Sequence, residues 1–214
     1  MEAAHPLEPL CKRYATLTPF RLVERRLRQS DAPIARFVRE VERRAQWGPP
    51  ELTEFFGVGS ARAVRRGDVS DRVADYAEFL RREGLRDDPE DRICAADLIH
   101  DLIGHIVFGN GTGPVGEIQA TAAVFGFCPA VGVDYFINAL LMFALGYSIF
   151  VGTTPHRMEV GDELSERVAS LFAAGAVLHD RMGAPLVERA AQREQMLGWI
   201  LVNWDDLRRA GEAL

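Results

Sequence analysis

Lysine is nearly missing from this 214-residue chain: of 25 basic residues only Lys12 is lysine, and the rest are arginine. We read that as the coding bias of a GC-rich genome rather than as function. Cysteine is scarce too. Cys11, Cys94 and Cys128 are odd in number and far apart, with no CxxC spacing. This excludes a disulfide framework and a zinc finger, and points to a reducing, cytoplasmic compartment. The start, MEAAHPLEPLCKRYA, lacks an apolar stretch of signal-peptide length. There is no excess of positive charge; the net charge of −6 argues against a nucleic-acid partner. Strand-like alternation and internal repeats are also lacking, which excludes all-β and solenoid architectures.

What is present is an ordinary globular composition, 48% hydrophobic and 26% charged, on a chain long enough to bury its own core. We expect one all-α domain over residues 1–214. Its charge is unevenly spread. Between His105 and His156 there are only two acids, Glu117 and Asp134, and no base. The charged flanks carry helical periodicity over Ala32 to Trp47, Val69 to Glu83, Val160 to Met182 and Leu186 to Ala213. Gly48-Pro49-Pro50 breaks the first flank. Ser70 and Asp71 are expected as caps of the second helix, and Gly84 as its end. Tyr135 to Gly152, YFINALLMFALGYSIFVG, is uncharged over 18 residues. That is the lower limit for a membrane span, and no basic anchors flank it. A long apolar helix buried in the core or an interface is the expectation, with the wall of a greasy ligand cavity as the alternative.

The segment with chemistry in it is CAADLIHDLIGHIVFGNGTGPVGE, Cys94 to Glu117. On a helical wheel Asp97, His100, Asp101, Gly104 and His105 fall within an arc of roughly 140°, and the rest is apolar. A helix greasy almost all round is buried, and buried ionisable groups must pair or bind something. Gly104 is expected to leave space for an ion or substrate between the imidazoles. Phe108 to Pro114 reads as a loop, Thr112 or Gly113 as a cap and Pro114 as the first residue of the next helix. Glu117 then lies in that helix's first turn, where the helix dipole favours a carboxylate. As an antiparallel pair, the two helices bring His105 and Glu117 to the same depth. Two imidazoles and one carboxylate with open positions suit iron(II) or zinc.

The stretch resembles the signature of the coenzyme Q biosynthesis protein 4 family, H-D-x-x-H, eleven residues, then E. His105, eleven residues and Gly116-Glu117 match its second half. DRVADYAEFLRREGLRDDPED, before the motif, is also similar, and the likeness spans Val69 to Gly152. It implies an all-α homodimer with a metal beside a hydrophobic cavity, acting in quinone biosynthesis, where the family is linked to oxidative removal of a ring carboxylate. His100-Asp101-Leu102-Ile103-Gly104-His105 is one residue longer than the family spacing. Counting back from Glu117 makes Asp101 the first ligand. Counting from the HD dipeptide makes it His100, with the extra residue absorbed as a π-bulge near Gly104, the kind of distortion found at functional sites.

We expect the second arrangement. His100, His105 and Glu117 then hold a divalent metal, while Asp101 orients an imidazole or moves a proton. Phe125, Phe127, Tyr135 and Phe136 would line a pocket for an aromatic, quinone-like or polyketide-like acid. Such a pocket opening at a bilayer would add peripheral membrane contact. Two other likenesses are weaker. DLIHDLIGHI looks like the iron-binding helix of the pterin-dependent aromatic amino-acid hydroxylases, but no acid stands where their third ligand does. The HD pairs at His100 and His179 resemble the HD phosphohydrolases, whose upstream histidine only His5 could supply; His179 reads more simply as a surface or helix-end residue. The rival of another class is a non-catalytic lipid- or quinone-binding scaffold, its zinc closed by Asp97 or Asp101 as fourth ligand.

Overall fold

The computed structural model describes residues 64–128, 162–187 and 192–214. Over these the chain is mostly helical. A two-residue antiparallel ribbon, β1 (Val64–Arg65) with β2 (Arg92–Ile93), pairs Val64 with Ile93. It ties the start of α1 (Arg66–Ser70) to the start of α3 (Ala95–Ile99). Between them lies α2 (Ala74–Arg82), and α3 runs directly into a π-helical segment, His100–Val107. Then come α4 (Pro114–Phe127), α5 (Asp162–Met182), α6 (Arg193–Val202) and α7 (Trp204–Glu212).

Local chemistry accounts for most of these boundaries. Cys94 caps α3, its Sγ accepting from the Asp97 backbone N–H at 3.4 Å. Gly113 precedes Pro114 at the start of α4, as expected. Gly84 ends α2 with φ +66°, and Leu85 N donates back to the Leu80 carbonyl at 2.8 Å. The expected helix Val69 to Glu83 is in fact two, α1 and α2, separated at Asp71 to Val73. Ser70 belongs to α1, and Val73, without a side-chain bond, stands at the cap position of α2. Packing rather than a polar cap sets this break, because Val69 and Val73 are both fully buried. The expected helix Leu186 to Ala213 is likewise split into α6 and α7. Asn203 stands at the break, and its Nδ2 donates to the Trp199 carbonyl at 2.8 Å. Ala32 to Trp47, Gly48-Pro49-Pro50 and Tyr135 to Gly152 lie outside the described residues. Among those described, no helix is long and apolar enough to cross a membrane.

The core is continuous. Tyr76, Phe79 and Leu80 of α2, Leu98 of α3, Leu102 and Ile103 of the π-helical segment, Ile118 and Phe127 of α4 and Phe172 of α5 all belong to one buried cluster. α4 is buried on nearly every side, because the π-helical segment and α5 both pack on it. Small residues set the spacing. A methyl on Gly126 would run into the Phe172 carbonyl, and one on Gly175 into the Ala123 carbonyl. The two backbones therefore touch at a distance only glycine permits.

Candidate metal centre

An α-helix stacks residues four apart, whereas a π-helix, closed by i→i+5 hydrogen bonds, stacks residues five apart. The π winding from His100 to Val107 therefore puts His100 and His105 on one face. The distortion expected at Gly104 is present, and it extends over eight residues. The two imidazole centroids are 4.9 Å apart, edge to face. Glu117 enters from the first turn of α4. Its Oε2 lies 3.2 Å from His100 Nε2 and its Oε1 3.4 Å from His105 Nε2. All three ligand atoms fall within 4.8 Å of one another, a grouping no other His, Cys, Asp or Glu forms among the described residues. His105 is 2% exposed, and His100 and Glu117 are each 8% exposed, so water does little to screen them.

The electrostatics follow from that burial. Burial alone would raise the Glu117 carboxyl, but hydrogen bonds and charge from His100 and His105 prevail and hold it down at about 2. Burial would lower the His105 imidazole. The Glu117 carboxylate, the Asn110 carbonyl and the Asp101 charge more than offset this and raise it. Without a metal, protons hold together three groups that could all donate electron pairs to one cation. The donor set, two imidazole nitrogens and a carboxylate, fits iron(II) or zinc.

Asp101 stands next to this group rather than in it. Its Oδ2 accepts a hydrogen bond from the Tyr76 hydroxyl at 3.2 Å. Burial pushes its carboxyl up to about 6, against the pull of His100, His105 and Tyr76. Burial and the Asp101 charge likewise keep the Tyr76 phenol protonated well above its usual range.

Three contributors were not legible as site residues. Phe79 of α2 stacks on the His105 ring, centroids 5.5 Å apart. Tyr76, a turn earlier, carries the Asp101 contact. In sequence both read only as apolar positions in the helical periodicity of Val69 to Glu83. Asn110 lies in the loop, 4% exposed. His105 Nδ1 donates to its backbone carbonyl at 3.0 Å, and its own Nδ2 donates to the Gly104 carbonyl at 2.8 Å. An asparagine between glycines reads as turn chemistry, and a main-chain acceptor leaves no signature in a sequence.

Other expectations need correction. Gly104 opens no space between the imidazoles: a Cβ there would lie 2.8 Å from the Ala120 Cβ. Its bare backbone lets the π-helical segment close on α4. His179 is not a surface residue. It is 6% exposed, near the end of α5, and its Nδ1 donates to the Phe127 carbonyl at 2.8 Å. Phe125 and Phe127 are buried in the core. Phe127 packs on His179 and Trp199, with centroids at 5.9 and 6.4 Å. Along α4 the two phenylalanines lie roughly 12 and 15 Å from Glu117 at 1.5 Å per residue, so the structure does not bring them to the centre. Tyr135, Phe136 and His5 fall outside the described residues.

Comparison with protein-family models finds no match, and comparisons with curated proteins and with solved structures find none either.

Proposed function

We propose that this chain is a metal-dependent enzyme acting on a hydrophobic aromatic acid, a quinone precursor or a polyketide-like relative, by oxidative decarboxylation or hydroxylation. The observation that carries the reading is the convergence of His100, His105 and Glu117, all buried, with ligand atoms within 4.8 Å of one another, a grouping that could hold one cation. A bound iron(II) or zinc would supply Lewis acidity and open coordination positions. Asp101 and Tyr76 supply a buried carboxyl–phenol pair beside the cation site. Burial raises the Asp101 carboxyl, the direction an acid–base group needs. Phe79 walls the His105 ring and keeps water from that side. The resemblance of the motif to the coenzyme Q biosynthesis protein 4 family supports the substrate class.

A structural zinc would need a fourth protein ligand. Among the described residues, the two acids the sequence offers for that are otherwise placed. Asp101 takes the Tyr76 hydroxyl, and Asp97 lies in the first turn of α3 and is not among the three grouped ligands. This favours an open, catalytic site over the scaffold reading.

The test is metal analysis of untagged protein, followed by incubation with a prenylated hydroxybenzoic acid in air and under nitrogen. About one equivalent of iron or zinc is expected for a site of this ligand set, absent in His105→Ala. Dioxygen-dependent loss of carbon dioxide or gain of oxygen, read by mass spectrometry, is expected from the loaded protein. Failure to take up metal under anaerobic reconstitution overturns the reading.

A further inference from the structure

We infer that Asn110 is the positioning residue that selects which nitrogen of His105 faces the cation. This rests on the metal-binding reading above. A π-helix satisfies each carbonyl with the N–H five residues on, and Phe108 N does reach the Ile103 carbonyl. The next donor in that register would be Gly109 N. Gly109 instead takes φ +66°, which turns the chain out of the helix. The Gly104 carbonyl needs another donor, because an unsatisfied buried carbonyl costs about 1–3 kcal/mol. Asn110 Nδ2 supplies it at 2.8 Å.

That bond fixes where the Asn110 main chain lies, and its own carbonyl then meets His105 Nδ1 at 3.0 Å. A carbonyl oxygen carries no proton, so the hydrogen must sit on Nδ1. The lone pair of a neutral His105 is therefore on Nε2, the atom that faces Glu117. One residue thus ends the π-helix with its side chain and sets the imidazole tautomer with its backbone, the role an outer hydrogen-bond acceptor plays around a metal-bound histidine. Phe79 against the ring face limits tilting of the imidazole, so the choice of nitrogen remains with the carbonyl.

The experiment uses full-length protein titrated with Zn(II) against a chromogenic chelator. In parallel, the ring nitrogens of zinc-loaded, 15N-labelled protein are assigned by long-range 15N–1H NMR. Expected are a proton on His105 Nδ1 with zinc on Nε2, and zinc binding about 10–100-fold weaker in Asn110→Ala and Asn110→Asp. The aspartate keeps the side-chain volume but, when ionised, cannot donate. Thr112→Val, which removes the 2.8 Å bond from the same loop to Glu83, should leave zinc affinity unchanged. Wild-type affinity in both Asn110 variants overturns the inference, as does equal weakening in Thr112→Val. Should neither Asn110 variant fold, the wild-type spectrum decides, and zinc on Nδ1 or a proton on Nε2 overturns it. A wild-type protein that binds no zinc sinks the metal reading itself, whereas one that binds zinc while failing these tests sinks only the role of Asn110.

Discussion

The two ends of α4 bury histidines in opposite ways. Near its C-terminus His179 is deep in the core, and a single main-chain acceptor, the Phe127 carbonyl, meets its Nδ1. Near its N-terminus His100 and His105 turn Nε2 toward one carboxylate, and His105 has its Nδ1 occupied besides. Both ends use a bare glycine to close the backbones, Gly104 against Ala120 and Gly126 against Phe172. Close packing and burial are therefore common to both. What distinguishes the candidate centre is that two imidazoles and a carboxylate converge, so that the atoms paired with one another could all turn to one cation.

The largest effect should come from breaking that difference. Glu117→Gln removes the charge between the imidazoles, and the variant should emerge from zinc dialysis without metal. His179→Ala should cost about 1–3 kcal/mol in urea unfolding, because the Phe127 carbonyl is orphaned, yet keep the full equivalent of zinc. A Glu117→Gln protein that stays loaded, or a His179→Ala protein that comes out empty, would erase the contrast.

The same methyl can be added at either end. Gly104→Ala and Gly126→Ala should each destabilise by about 1–3 kcal/mol through overpacking, less whatever alanine regains in helix propensity. Only Gly104→Ala should also weaken zinc, since Ala120 would force the π-helical segment away from α4. Equal zinc affinity in the two variants, measured by chelator competition, would show that the spacing there does not matter.

The smallest effect concerns pH and metal-free protein. Glu117 is depressed when folded, so its contribution to stability is present above about 4.5 and is lost as pH falls toward about 2. His105 is raised, so its contribution is full below 6.5 and fades as pH rises through the folded value. Asp101 is raised from 3.8 to about 6, so its burial cost is absent below about 3.8, grows as pH rises and is full above about 6. Glu117 and His105 together place the greatest contribution between about pH 4.5 and 6.5, and Asp101 biases it toward the acid end of that window. Urea midpoints of metal-free protein should be highest near pH 5. Zinc affinity should instead rise with pH, because ligation displaces protons. Glu117→Gln should flatten the metal-free profile on its acid side.

Much of the centre was legible because its chemistry is written in side-chain types. His100, His105 and Glu117 stand out as ionisable groups in an apolar stretch, and one residue too many between the histidines announces a distorted helix. What escaped has no such signature. Gly104 looked like room for an ion because a sequence does not show that Ala120 fills it. The break between α1 and α2 follows from burial of Val69 and Val73, which resemble any other apolar positions. Asn110 acts largely through a carbonyl that every residue possesses. His179, read alone, gave no sign that α4 would cover it. The mostly helical character followed directly from periodicity, although the turn at Asn203 interrupts a run whose apolar spacing continues across it.

Arg208 of α7 donates from Nη1 to the Ile106 carbonyl at 2.9 Å, and its Nε pairs with Asp75 of α2 at 3.2 Å. The carbonyl end of the π-helical segment is thus held by a residue made long after it. A ribosome adding 5–20 residues per second reaches Arg208 roughly 5–18 s after Glu117. Through that interval His100, His105 and Glu117 already exist as a nascent chain, while the guanidinium that braces their helix does not. Any metal captured during synthesis would therefore meet a looser centre than metal captured after release, and translation speed would bear on the order of loading and folding.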